Sequence, residues 1–516
     1  MNAVTFNTQS PKAAPNTLRS ARRRLGGWLV NVGCWIFCTV LAGCALGPNF
    51  KKPAAPNVSG YTTTPLSTTV GVASIPGGGA QHFKEGLDIP AEWWMVFHSK
   101  PLNDLIERSL TNNPDIKAAQ AALQVARENV LAQGGAYYPA VTGSFSASRQ
   151  RQSEVLAPVP NYPVVSSEFT YDLFTPQVSV SYTPDVFGLN RRTVESLNAQ
   201  EEQARFAVVA TRITLSANIV VGAIQEASLR AQIDATRQII ELNSNALRIL
   251  RAQFARGYAS RLDVAAQESQ LAQASATLPP LLTQLAQQRD ALAVLAGGVP
   301  NQGPIAEFDL SSLHLPEELP VSLPSQLIEH RPDVRQAEEN MHAASAQIGI
   351  AVANRLPNIT LTADAGSTAL AIDQVFSSGT GFWGLGATAT APLFEGGALL
   401  HKERAARAAY IQAAEQYRST VHTAFQNVAD TLNALEGDAN AVKAAAEAAD
   451  AARVTLDITR QQMRIGYANN LAFLTAEQAY QQAVVTLIQA EANRYSDTAA
   501  LFQALGGGWW NQGNAQ

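Results

Sequence analysis

The sequence predicts a mainly helical protein with a smaller share of membrane-type β-strands, built as a two-fold internal repeat. Three observations carry that expectation. From about Leu189 to Ala255 the chain runs for about 67 residues without a proline, and a second helical run extends from about Ala398 to Ile465. At ~1.5 Å per residue each would reach on the order of 100 Å, whereas globular helices average ~11–12 residues. Both runs end in the same turn, Arg256-Gly257-Tyr258-Ala259 and, about 209 residues later, Ile465-Gly466-Tyr467-Ala468. Glycine tolerates the positive φ that a reversing chain needs. Ahead of each run, apolar and polar residues alternate with period two over a pair of short segments, the pattern of half-buried strands.

The amino end is set aside before any fold argument. Lys12, Arg19, Arg22, Arg23 and Arg24 are followed by an apolar run from Leu25 to Val40 and then by Leu41-Ala42-Gly43-Cys44. The run is short for a span, which needs ~20 residues, and reads as a secretory signal over residues 1–43. Leu-Ala-Gly-Cys resembles the bacterial lipobox, in which the cysteine becomes the lipid-carrying first residue; Ala45 behind it is similar to lipoproteins sorted to the outer membrane. Cys34, Cys38 and Cys44 are the only cysteines. The mature chain therefore has no disulfide and no thiol chemistry to offer. Losing five basic residues with the signal takes the formal charge from −5 to about −10. A nucleic-acid partner calls for the opposite sign.

Residues 44–101 are rich in Pro, Gly, Thr and Ser and read as an extended arm. It ends in the apolar knot Trp93-Trp94-Met95-Val96-Phe97, which is expected to dock it on the body. The first repeat occupies 102–298. Leu105-Ile106-Glu107 has its copy in Leu327-Ile328-Glu329, and Pro114-Asp115 opens a helix closed by Pro139, as Pro332-Asp333 opens one closed by Pro357. Proline in the first turn with an acid behind it suits a helix start. Val141–Ser148 and Gln177–Thr183 then alternate, as do Ile359–Asp364 and Trp383–Thr390 in the second repeat, 325–508. Each pair predicts two strands of ~9–11 residues, the length of tilted strands in a membrane barrel. On the long helix, Ala207, Ala210, Thr214, Ala217 and Val221 fall at three-four spacing, as do Leu247, Leu250 and Phe254. Helical composition resumes from Leu262 to about Leu278. A Pro-rich connector, 299–324, joins the repeats, and 509–516 forms a tail.

Four strands cannot close a barrel, since the smallest single-chain examples use eight, and open strand edges are not tolerated in lipid. Identical chains arranged cyclically solve this, three of them supplying twelve strands. The long helices are too long for the ~30 Å hydrocarbon layer and must project into water. The product is a conduit.

The two-fold repeat, the Pro-Asp helix starts, the turns Pro184-Asp185-Val186-Phe187-Gly188 and Pro392-Leu393-Phe394-Glu395-Gly396-Gly397, and the closing Leu505-Gly506-Gly507-Gly508 resemble the TolC-like outer-membrane efflux protein family. The start Cys44-Ala45-Leu46-Gly47-Pro48-Asn49-Phe50 is similar to its lipoprotein branch of OprM and NodT type. The resemblance implies a homotrimer whose twelve-stranded β-barrel is continuous with a long periplasmic α-helical barrel. It also implies partners: outer-membrane lipid, a periplasmic adaptor and an inner-membrane transporter of the RND type, with a type I protein-secretion duct as the alternative. It further implies that the tips at 257–260 and 466–469 close the duct and meet the adaptor through Arg256, Gly257, Tyr258, Ile465, Gly466 and Tyr467. Asp263 matches an acidic position of the closing network, although an acid there also suits a helix start. The second tip departs from the family, with Ala472 and Thr475 where acids are frequent; Leu471 keeps an apolar constriction residue. Glu268 and Glu477 stand at equivalent places in the repeats, as an acidic ring or as solvated charges.

Enzyme readings find little support. Gly379-Thr380-Gly381-Phe382-Trp383-Gly384 fits GxGxxG but leads into an alternating strand instead of a helix. The seven histidines are scattered without zinc spacing. No cofactor is expected beyond the lipid on Cys44. A lipid-anchored coiled-coil scaffold accounts for the helices but not for four strands in duplicate.

Overall fold

The computed structural model describes residues 46–514 apart from 57, 59, 65, 73–74, 153–168 and 302–305; the signal segment and Cys44 lie outside the described residues. In chain order the elements are β1 (His82–Glu85), a 3-10 turn (Trp93–Phe97), α1 (Lys100–Asn112), α2 (Pro114–Gly134), β2 (Ala140–Gln152), β3 (Phe169–Tyr182), α3 (Leu189–Ala255) and α4 (Arg261–Leu295). There follow β4 (Glu318–Val321), α5 (Pro324–His330), α6 (Pro332–Ala353), β5 (Asn358–Ser367), β6 (Gly381–Thr390), α7 (Ala398–Arg464) and α8 (Asn470–Ala504). The long helices α3 and α7 have 67 residues each, and the return helices α4 and α8 have 35 each.

The return helix α4 does not stop near Leu278. It runs through Pro279 and Pro280 to Leu295. Two prolines remove two backbone donors and free the carbonyls of Ser275 and Ala276, a defect of ~3 kcal/mol or more inside a helix. Both of those residues are exposed, so water is at hand. The Thr283 hydroxyl donates to the Pro279 carbonyl at 3.1 Å.

The chain divides into two compact units. The first holds residues 46–49, Ala132–Glu195 and Ala346–Ala406. Its sheet has the order β2-β3-β5-β6, antiparallel throughout. The second-repeat strands have 10 residues each, as alternation predicts, but β2 and β3 have 13 and 14. The excess is polar pairing beyond the alternating segments. Arg149 faces Asp172 at 3.8 Å, and the Tyr171 hydroxyl donates to Gln150 Oε1 at 2.9 Å, the cross-strand contacts that extend a hairpin. Pro176 sits inside β3 opposite Phe145, just where pairing with β5 begins at Gln177↔Gly366. Its missing N–H therefore falls outside the β5 ladder. A Cβ on Gly366 would stand 2.5 Å from the Pro176 carbonyl oxygen, so only glycine fits there.

Asp185 starts α3 by accepting the Asn190 and Arg191 amides at 2.9 and 2.8 Å. One turn on, the buried Arg192 donates to the carbonyls of Leu46 and Gly47 and to Asn49 Oδ1 at 3.0, 3.2 and 2.8 Å. The first described residues of the chain are held by that side chain.

The second unit holds Phe50–Leu131, Ser196–Ser345 and Arg407 onward. The apolar knot of the arm forms a 3-10 turn with Trp93 and Phe97 fully buried, Trp93 stacking on Phe502 at 5.4 Å. The arm is more structured than its composition suggests, because β1 pairs in parallel with β4 of the connector. The connector is also more than a linker. Phe308, Leu310 and Leu313 enter the core, and the fully buried Glu226 of α3 accepts the Phe308 amide at 3.1 Å and Arg289 Nη2 at 2.8 Å.

The face of α3 that the core takes coincides only in part with the stripes read in the sequence. Ala217 and Leu247 of those stripes are buried and Thr214, Val221 and Phe254 are exposed, while Ile213, Val220, Ala223, Ile224 and Ala227, outside them, are buried too. Residues of the arm, the connector and α8 pack around this part of α3 in one apolar cluster. An apolar stretch of α3 satisfies membrane-span criteria by length and hydropathy, yet half of it is buried within the protein.

Candidate gate at the helical tips

Both tips are built by the same backbone chemistry. At the end of α3 the Tyr258 amide bonds to the Gln253 carbonyl at 2.9 Å, and the Gly257 amide to Phe254 at 2.9 Å. At the end of α7 the Tyr467 amide bonds to Gln462 at 2.9 Å, and Gly466 to Met463 at 3.3 Å. These bonds satisfy the last carbonyls of each helix and need a left-handed residue after it. Gly257 and Gly466 supply it with φ of 82° and 81°. The return helices then open on equivalent N-caps. Ser260 accepts the Asp263 amide at 3.1 Å, and Asn469 accepts the Ala472 amide at 2.9 Å.

Asp263 completes a capping box. Its Oδ2 accepts the Ser260 amide at 3.1 Å and the Ser260 hydroxyl at 2.6 Å. Of the two roles read in the sequence, the helix-start role is the one seen in this chain, and the carboxylate bonds to Ser260 within its own tip. Tyr258 and Tyr467 are 82% and 84% exposed. Arg256, Ile465 and Leu471 are exposed as well. The Thr475 hydroxyl is turned back on the Leu471 carbonyl at 3.0 Å. The two tips touch where Asn470 Nδ2 donates to the Asp263 carbonyl at 3.4 Å.

Glu268 and Glu477 do not form one set. Glu268 accepts from Arg251 Nη2 at 2.8 Å, and that bond holds its carboxyl below the ordinary range. Glu477 is 1% exposed. Asn243 Nδ2 donates to its Oε1 at 3.0 Å, and Gln267 Nε2 donates in turn to Asn243 Oδ1 at 2.8 Å. Burial pushes the Glu477 carboxyl up to about 7, only partly offset by the charge of Arg460. Asn243 and Gln267 were not singled out in the sequence, although a signal exists. Asn243 interrupts the buried series Ile239, Leu247 at i+4, and Gln267 stands between the buried Val264 and Ala274. A polar residue inside an apolar stripe calls for a buried partner.

The histidines dispersed in sequence are partly gathered in space. His98 and His314 lie with ring centroids 5.4 Å apart, and His330 stacks on Trp510 at 3.7 Å. Among the described residues no group of three or more His, Cys, Asp or Glu is placed to hold a metal ion.

Two curated relatives cover nearly the whole chain. The probable efflux pump outer membrane protein TtgC of Pseudomonas putida is 29% identical over 483 residues, 92% of this chain and 94% of that protein. The outer membrane protein OprJ of Pseudomonas aeruginosa is 26% identical over 478 residues, 93% of this chain and 96% of that protein. Among solved structures, the outer-membrane channel OprN superposes with a TM-score of 0.79 at 24% identity, covering 90% of this chain and 100% of that one. That last likeness establishes the fold. The model for outer membrane efflux proteins matches residues 105–298 and 323–507, one match for each repeat with its long helix and tip, and the chain belongs to that family.

Proposed function

We propose that the chain is the exit duct of a tripartite efflux pump, passively conducting small toxic compounds from the periplasm to the exterior. The observation that carries this reading is the sheet. Its order β2-β3-β5-β6 leaves one side of β2 and one side of β6 without a partner within the described residues. Three antiparallel steps make β6 antiparallel to β2. The β6 of one copy therefore joins the β2 of the next without breaking the alternation, and a cyclic assembly closes with no lipid-exposed edge. Three copies give twelve strands, the long helices supply a periplasmic barrel, and Cys44 adds a lipid anchor.

The relative TtgC is an efflux pump outer membrane protein by name. This supports a periplasmic adaptor and an inner-membrane RND-type transporter as partners. A type I secretion duct shares the architecture and remains the second reading. The tips serve as the gate, with Leu471 as the apolar constriction and the exposed Tyr258 and Tyr467 as adaptor contacts.

Native mass spectrometry in detergent tests the assembly, and a monodisperse monomer of native helicity overturns it. Leu471→Ser, assembled as the parent, is expected to raise single-channel conductance in planar bilayers; unchanged conductance moves the gate elsewhere. Cross-linking in cells with identification of the inner-membrane partner separates efflux from protein export.

A further inference from the structure

The buried set Asn243, Gln267 and Glu477 joins three helices near the tip and has no counterpart in the tip's other polar contacts. Asn243 comes from α3, Gln267 from α4 and Glu477 from α8, all three at most 1% exposed. Their hydrogen bonds run Gln267→Asn243→Glu477, and Asn243 is fixed in turn by donating to the Ile239 carbonyl at 3.0 Å. Two oxygens in the set lack a donor among the described residues, Glu477 Oε2 and Gln267 Oε1. A carboxylate with one donor and one bare oxygen, out of contact with water, is a poorly held charge. The neutral acid is well held: Oε1 still accepts from Asn243, and Oε2 gains a proton in a set that already contains an unpaired acceptor.

We propose that Glu477, Asn243 and Gln267 form a proton-operated latch between the hairpin α3–α4 and the hairpin α7–α8. The latch is fastened while the Glu477 carboxyl is neutral and released when it ionises. This rests on the reading of the tip as a gate. The charged groups around Glu477 leave it little alternative in the closed form. Arg460 of α7 is drawn to Asp457 at 3.5 Å. Arg251 of α3 is taken by Glu268 of α4 at 2.8 Å. From α8 itself the nearby titratable group is Tyr480, which packs with Leu456, Phe473 and Ala476. An ionised Glu477 reaches water only if α8 moves away from Asn243, and that movement parts the two hairpins.

The sign follows from where the proton is bound. In the closed form burial keeps the Glu477 midpoint up at about 7, while a glutamate exposed to water has its ordinary value of 4.5. Between those values the closed form binds more protons, so closure is fully supported below about pH 4.5 and is lost as the pH rises toward 7. Opening then becomes easier by up to tenfold per pH unit and levels off above about pH 7, at roughly 300-fold per latch. Acid holds the duct shut; neutrality frees it for opening.

The test is single-channel recording of the full-length protein in planar bilayers at pH 5, 6, 7 and 8, with hydrogen exchange of residues 466–480 on the same samples. The wild type is expected to open more often, and to lose protection at this segment, as pH rises from 5 to 7. Glu477→Gln keeps the shape and the Asn243 bond but cannot ionise; it is expected to stay at the acid level throughout. Glu447→Gln, an exposed carboxylate of α7, is expected to follow the wild type. A wild-type pH response that survives in Glu477→Gln overturns the latch. So does a flat wild-type profile in a protein whose Leu471→Ser variant conducts more, since the gate then exists without the latch. If Leu471→Ser is also silent, the gate reading itself fails.

Discussion

Eleven residues past each tip glycine stands a glutamate, and the two repeats use it in opposite ways. In the first repeat Glu268 lies at the surface and is held ionised by Arg251. In the second, Glu477 is buried and its carboxyl is pushed up to about 7. The arginine is duplicated too, as Arg460, but it does not reach Glu477. Asp457, three residues earlier on α7, takes it at 3.5 Å, and the corresponding residue of the first repeat is Arg248, which cannot compete. Asn243 draws Glu477 inward, whereas the residue at the equivalent place in the second repeat is Ala452. One competitor and one buried donor separate a solvated ion pair from a buried acid. The duplicated backbone fixes position; the neighbours decide ionisation.

The largest expected break in this contrast is Asn243→Ala. It removes the only described donor to Glu477 and the nearer of the two acceptors of Gln267, whose other is the Asn243 carbonyl at 3.5 Å, and a stranded buried group costs about 1–3 kcal/mol. A loss of about 3 kcal/mol is expected, seen as faster hydrogen exchange at 466–480, with no change around Glu268. Next is Glu491 on α8, also pushed up to about 7 by burial. Its first-repeat counterpart is Leu282. Glu491→Leu is expected to raise the thermal midpoint at pH 8, where the buried acid is charged, by a stabilisation of about 2 kcal/mol, and to change it little at pH 4.5.

Asp263→Ala leaves the first tip with the single cap that the second tip has with Asn469 and Ala472. About 1 kcal/mol is expected to be lost, read as fraying of the first turn of α4, with more frequent channel opening if that turn helps to close the gate. The smallest effect is expected for Glu268→Gln. Its ion pair is solvent-exposed, and exposed pairs contribute little, so the denaturation midpoint at physiological salt should be unchanged.

Much of the fold was legible because it is periodic or punctuated. The Gly-Tyr turns at 257 and 466 mark the tips, and ten-residue alternation marks β5 and β6, since each signal is local. The long arms of β2 and β3 escaped because cross-strand pairs such as Arg149 with Asp172 join residues far apart in sequence. The continuity of α4 through Pro279-Pro280 escaped for another reason: the carbonyls it frees belong to exposed residues, and packing elsewhere on the helix holds it together. The buried polar set was half visible. Asn243 interrupts an apolar series, but that Glu477 faces it across 234 positions is a property of three helices brought together.

The equal lengths of the duplicated helices, 67 and 67 followed by 35 and 35, bear on how such a chain can vary. Deleting one residue from α3 would draw its turn back by ~1.5 Å and rotate every side chain beyond the deletion by ~100°. Leu247 would leave the core, and Asn243 would miss Glu477 and Gln267, while α7 stayed as it was. Substitutions have drifted freely between the halves, Leu282 against Glu491 and Arg248 against Asp457. Insertions and deletions are a different matter, because one made in either half alone puts the two tips out of step. The chain works as a pair of matched rulers, more tolerant of substitution than of any change in length.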